Sequence, residues 1–204
     1  MRKSLLNQVA SLSLLAFCAF PLSLQAKETA PSTSIIADAE LAEIRKWMSN
    51  PVVEISVSSQ NRVYKDVSQE DIDRLDKQWR AERKADDQPL IATTLSSPLS
   101  SYLTQIQAAS GGLFTEIFVM DSNGLNVGQS AITSDFWQGD EGKFQKTFPN
   151  GPDAVFIDEA EFHEGSKTWR TQINMSLVDK NNQTIGAVTV EYNLTELQRR
   201  KSTN

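Results

Sequence analysis

Two stretches of the chain gather side chains able to do chemistry. IDEAEFHEG, residues 157–165, brings Asp158, Glu159, Glu161 and Glu164 together with His163, the only histidine in the sequence. Carboxylates with an imidazole can hold Zn, Mn or Ni, which makes Glu161, His163 and Glu164 candidate metal ligands. An acidic patch alone can hold Ca or Mg. The plainer reading is an acidic turn facing water with an idle histidine. TSDFWQGDEGKF, residues 133–144, sets Phe136 and Trp137 side by side among acids, glycines and polar residues. Such rings either pack into a core beneath the loop or meet a ligand.

Catalysis has little to work with. One histidine permits at most one serine–histidine couple, and the chain has no G-x-S-x-G elbow and no glycine-rich phosphate loop. A carboxylate-pair hydrolase remains formally open. The expectation is a non-enzyme without a cofactor. DSNGLN, residues 121–126, resembles a calcium loop but lacks the bidentate glutamate at the twelfth position and the flanking helices, and it reads as a turn.

Composition is that of an ordinary globular chain: 39% hydrophobic and 23% charged over 204 residues, with nine Gly and seven Pro. Residues 1–26 stand apart, with a basic start at Arg2 and Lys3, an apolar run from Leu12 to Leu24, and a small-residue exit at Ala26. The run is short for a membrane span of about 20 residues and is broken by serines and Pro21, so a signal peptide cleaved after Ala26 is expected. Bulky Phe17 before Cys18 argues against a lipid-attachment box. Cleavage removes the single cysteine, leaving a periplasmic product without thiol or disulfide. Taking Arg2 and Lys3 from the 20 basic residues leaves 18 against 26 acids, a net charge of −8. That sign argues against nucleic acid and anionic membrane partners. No later run is apolar enough to span a bilayer.

Residues 27–34 form a polar leader, and residues 35–204 read as one domain. Ala37, Leu41, Ile44 and Met48 mark a first helix ending before Pro51, and residues 52–57 read as a short strand. Ser68 caps a second helix whose Ile72, Leu75 and Trp79 form one stripe, expected to pack toward the first and third helices. Its opposite face carries the pairs Glu70/Arg74, Asp73/Lys77 and Asp76/Arg80 and reads as solvated. Ser97 and Pro98 open a third helix that buries Leu99, Leu103 and Ile106 and stops at Gly111 and Gly112. Strands follow over residues 114–120 and 125–129, then a loop with a short helix ending near Phe148, then strands over residues 154–157, 169–178 and 184–192. Phe118, Val188 and Val190 belong to the sheet. The fold class is α+β, with N-terminal helices packed on a roughly five-stranded antiparallel sheet.

From Phe114 onward the ordered set FTEIFVMDSNGLNVGQS, SDFWQGDEGKF, AVFID and INMSLVDKNNQTIGAVTVEYNLTEL resembles the extracytoplasmic Cache (PDC, PAS-like) sensor domains. Asp179, Ile185, Gly186, Val188 and Glu191 stand where the family's final hairpin has its motif residues. The resemblance implies a PAS-like sheet whose open face is covered by the aromatic loop and short helix, with a small ligand between them. Phe136 and Trp137 would then form a lid, and the site would comprise Asp135, Phe136, Trp137, Phe156, Asp158 and Glu191. The amino-acid-binding subgroup has an arginine two residues before the tryptophan and a tyrosine after it, where this chain has Asp135 and Gln138. A carboxylate ligand would meet Asp135 as a like charge. Glu191 suits a ligand amine, and Asp135 with Trp137 a cation. The implied function is a small-molecule sensor acting through a separate membrane-bound signalling partner. The alternatives are a structural module with a closed core and a divalent-metal-binding protein.

Overall fold

The computed structural model describes residues 29–203, so the expected signal segment and Cys18 lie outside the described residues. Helix α1, Asp38–Met48, ends where Asn50 becomes extended ahead of Pro51. Asn50 then accepts from the Val52 amide at 3.0 Å and caps α2, Pro51–Val63. The expected strand over residues 52–57 is therefore corrected to helix. Proline at the first position and the Asn50 cap start a helix there, and Val53 and Val57, four apart, are both buried on one face. The β-branched run costs a helix only a few tenths of a kcal/mol per residue, which that burial outweighs.

Helix α3, Gln69–Glu82, starts as expected, with Ser68 accepting from the Asp71 amide. Helix α4, Pro89–Leu95, was not expected, because no side chain next to it caps it. Its cap comes from α3: the buried Glu82 carboxylate accepts from the Leu90 and Ile91 amides at 2.8 and 3.0 Å. Helix α5, Pro98–Ala109, stops at Gly111 and Gly112.

Strands β1 (Phe114–Met120), β2 (Asn126–Gln129), β3 (Val155–Ile157), β4 (Glu161–His163), β5 (Thr168–Val178) and β6 (Thr184–Asn193) form one antiparallel sheet in the order β2-β1-β6-β5-β3, with β4 also paired to β5. Short helix α6, Gly142–Gln145, sits between β2 and β3, and α7, Leu194–Ser202, follows β6 directly. The architecture is the α+β, PAS-like one that the resemblance implies: a strand pair, a loop with a short helix, a strand, then a long hairpin. The sheet has six strands because residues 161–163, read as part of an acidic turn, pair with β5. The turn between β1 and β2 places Gly124 at φ 79°, with its Cα hydrogens against Gly139 where a side chain would not fit.

One face of the sheet is sealed by α1, α2, α5 and α7. Ile117 and Val119 from β1, Ile173 and Met175 from β5, and Val188, Val190 and Tyr192 from β6 pack there with Val53, Val57, Leu99 and Leu103. The Ile72, Leu75 and Trp79 stripe goes elsewhere. It joins Ile91 of α4, Leu125 and Phe136 in a separate cluster, so the expected packing on the first and third helices is corrected. A small third cluster, Phe118, Met120, Ala187 and Phe144, lies on the other face of the sheet under α6.

Trp79 is fully buried, and its Nε1 donates to the Thr133 carbonyl at 3.0 Å. Truncation of Trp79 to alanine is expected to cost about 3–5 kcal/mol, read as a lowered midpoint of urea unfolding. A cost below about 1 kcal/mol would show that the second cluster does not support the fold.

Candidate functional site

Alternation along the three central strands decides which side chains reach the second face of the sheet. With Ile117, Val119, Val188, Val190, Ile173 and Met175 committed to the helices, Glu116, Thr189, Glu191, Gln172 and Asn174 face the other way. Strands β1, β5 and β6 each carry one charged residue, Glu116, Arg170 and Glu191, and all three meet on this face. Glu116 stands opposite Glu191 in the β1–β6 register, and Glu191 opposite Gln172 in the β5–β6 register. Further along, Thr189 donates to Asn174 at 2.7 Å and Asn174 to the Phe156 carbonyl at 3.1 Å, so the buried polar centre of the sheet is satisfied.

Helix α6 covers only part of this face. Beside it lies a cavity of about 320 Å³, bounded by Glu141–Lys143, by Asp158–His163 around β4, and by Arg170, Gln172 and Glu191 on the sheet floor. That volume is within the range of small-molecule sites, roughly 300–1,000 Å³. Arg170 donates to Glu191 at 2.7 Å, Thr115 donates to the same carboxylate oxygen, and Arg170 reaches Ser166 at 3.1 Å. The Arg170 Nε–H is buried without a hydrogen-bond partner. From α6, Lys143 pairs with Glu141 at 2.9 Å, reaches Gln138 at 3.2 Å and lies over the Phe118 ring. The wall holds Glu141, Asp158, Glu159, Glu161 and Glu191 against Lys143 and Arg170, an acidic excess that favours a cation. Burial, and then the Glu191 charge, push the Glu116 carboxyl up to about 7.

The sequence-predicted residues divide between this cavity and elsewhere. Asp158 and Glu191 line it, as do Glu161 and His163. The Asp158 amide donates to the Gln172 carbonyl and Thr171 donates to the Asp158 carbonyl, which fixes the end of β3 on β5. Phe156 lies outside the lining, its ring beneath the Lys146 ammonium at 3.9 Å. Glu164 pairs with Lys167, and His163 Nδ1 accepts from the Ser166 amide. Among the described residues no group of three His, Cys, Asp or Glu side chains is placed to hold a metal.

The expected lid is corrected. Phe136 is buried and stacked on Trp79 with ring centroids 5.3 Å apart, and Trp137 packs against the same α3–α4 cluster. Asp76 of α3 accepts from the Phe136 and Trp137 amides at 2.9 and 3.1 Å, and Trp137 Nε1 donates to the Asn123 carbonyl at 2.8 Å. Asp135 is turned to Arg80 at 2.8 Å and does not line the cavity. Asp76 and Arg80 thus tie down the loop, correcting their reading as part of a solvated helix face.

A larger groove, about 440 Å³, runs between α1, the start of α2 and the β5–β6 turn. Its charges nearly balance, with Arg45 and Lys180 facing Glu54, Asp153 and Asp179. The sheet-face cavity is the better candidate, because convergent charges and a displaced carboxyl pKa mark it.

No family model matches the chain, and no curated protein matches it. Solved structures similar to it include the ligand-binding domain of the Campylobacter jejuni chemoreceptor Tlp3 in complex with 4-methylisoleucine, 14% identical over 76% of this chain and 65% of that one, TM-score 0.37. The ligand-binding domain of the Pseudomonas aeruginosa amino acid chemoreceptor PctC in complex with GABA is 13% identical over 78% and 62%, TM-score 0.40. The E. coli DcuS sensor domain is 20% identical over 64% and 96%, TM-score 0.39. The chain spans less than two thirds of the length of the two chemoreceptor domains.

Glu116 generates a pH prediction. Its carboxyl titrates near 4.5 when exposed and near 7 in the fold, so between those values the folded chain holds a proton that the unfolded chain has lost. Stability therefore falls as pH rises through this window. Glu116→Gln is expected to flatten that fall and to raise stability at pH 8, with a ceiling of roughly 3 kcal/mol. Urea midpoints measured from pH 4.5 to 8 check it; parallel curves for the two proteins would refute the placement of Glu116.

Proposed function

We propose that the chain is a periplasmic, Cache-type sensor protein that binds a small cationic or amine-bearing molecule in the sheet-face cavity and acts through a separate membrane-bound partner. The observation that carries the reading is the acidic cavity closed at its floor by the Glu191–Arg170 pair. A ligand ammonium fits the Glu191 carboxylate on the cavity floor, beside its pair with Arg170. The cavity also weighs against the alternative of a closed-core structural module.

Support for an output comes from connectivity. Glu191 lies two residues before Asn193, which ends β6 and caps α7 by accepting from the Glu196 amide. Helix α7 is clasped in turn: Arg200 donates to the Ser110 and Gly111 carbonyls, and Lys201 pairs with Glu40 of α1. A ligand that draws on Glu191 therefore pulls a strand joined without a loop to the helix that meets α1 and the end of α5. The expected signal peptide fits a secreted chain.

A thermal-shift screen of residues 27–204 against amines, organic acids and divalent ions tests the reading. A binder at 100 times its Kd should add about 2.7 kcal/mol of stability. Hits are expected among amines, and Glu191→Gln should abolish their shifts while the variant still unfolds cooperatively. Hits confined to organic acids or divalent ions would contradict it.

A further inference from the structure

The two cations that line the sheet-face cavity, Arg170 and Lys143, are each already engaged by a carboxylate other than Glu116. Arg170 of β5 holds Glu191 of β6, Lys143 of α6 holds Glu141, and Arg80 of α3 holds Asp135 in the loop. Glu116 of β1 faces this set half-buried and has no hydrogen-bond or ion-pair partner of its own among the described residues. The groups that act on it are Glu191 and Asp135, which disfavour its charge, and Lys143 and Arg170, which favour it from within their own pairs. Its nearest cross-strand neighbour on that face is Glu191, whose carboxylate is satisfied by Arg170 and Thr115. Two carboxylates side by side, with the nearby cations already paired, do not both ionise readily.

We infer that Glu116 selects the charge of the ligand, releasing its proton to solvent when a cation enters and keeping it when the cavity is empty or holds a neutral molecule. The inference rests on the sheet-face cavity being the ligand site. The positive charge of the ligand supplies the counter-ion that the fold withholds from Glu116, and burial beside α6 makes that charge effective. The carboxyl then ionises while the ligand ammonium is held at Glu191. Burial and Glu191 already place the empty-site carboxyl at about 7, so the exchange operates around neutral pH. Cation affinity consequently rises with pH, because binding and ionisation are linked in both directions. A neutral ligand of the same shape gains nothing from the same change of pH. Glu116 is thus a specificity residue reached through electrostatics, set one strand further in than the cavity lining.

Calorimetric titration with putrescine, a dication throughout the range, tests this in phosphate and HEPES buffers of different ionisation heat. The expected result is release of roughly half a proton per bound putrescine at pH 7 and an affinity that rises about tenfold between pH 6 and 8. 1,4-Butanediol, the neutral counterpart, should show neither effect. Glu116→Gln should bind putrescine with no proton release and a flat pH profile. A carboxyl-carbon NMR titration of Glu116 in the unsubstituted chain gives a readout that does not depend on the variant folding. The resonance should titrate near 7 alone and well below it with putrescine. Titration near 4.5 without ligand would overturn the inference and leave the ligand reading standing. Proton release that persists in the variant would overturn it too. If Glu116 titrates near 7 and no amine binds at any pH, the ligand reading fails, and this inference falls with it.

Discussion

Strand β6 imposes the constraint from which the rest follows. Val188, Val190 and Tyr192 are fully buried under the helices, and a side chain at Gly186 would begin 2.1 Å from the Met120 carbonyl oxygen on β1. With the register so fixed, Ala187, Thr189 and Glu191 have no choice of face. A slip of one residue would place Glu191 in the apolar layer and Val190 in the cavity. The helices are then obliged to cover one side only, and α6, with four residues, covers too little of the other to close it.

The remaining charge pattern follows from that partial cover. Water reaches the Glu191–Arg170 end of the polar face, and the opposite end is roofed by Phe144 and Phe148. Glu116 stands level with Glu191 one strand further in, dry enough to lose hydration and close enough to Glu191 to feel a like charge. The strand pairing that creates the site therefore also sets the proton balance inside it.

Much of this was legible in the sequence where the signal is local. Ser68 and Ser97 cap their helices, Gly111 and Gly112 end one, and the strands from Phe114 onward occupy nearly the residues that periodicity marks. Long-range signals were not legible. Helix α4 is capped by Glu82 from another helix, and α2 is helical because Val53 and Val57 find a sheet to pack on. Asp76 looks like one half of an i, i+4 ion pair, and its second oxygen holds two loop amides sixty and sixty-one residues away. That contact sends Phe136 and Trp137 to α3 instead of the cavity. For the site, alternation separates the two faces of a strand without saying which is buried. The usable hint was the single charge in each of the three central strands, because a lone charge in a strand otherwise rich in apolar residues has to meet a partner or solvent. Reading those three residues together would have pointed to Glu116 and Arg170 alongside Glu191.

The central claim is that the ligand site is the sheet-face cavity and not the aromatic loop. Amide and indole NMR shifts of the chain during titration with an amine that stabilises it test this most directly, because both locations are reported in one spectrum. The account predicts that the largest changes fall at Lys143, Arg170, Gln172 and Glu191, with the Trp137 indole N–H holding its bond to Asn123 and its shift. Changes concentrated at the Trp137 indole, Asn123 and Phe136, with β5 and β6 unmoved, would contradict it.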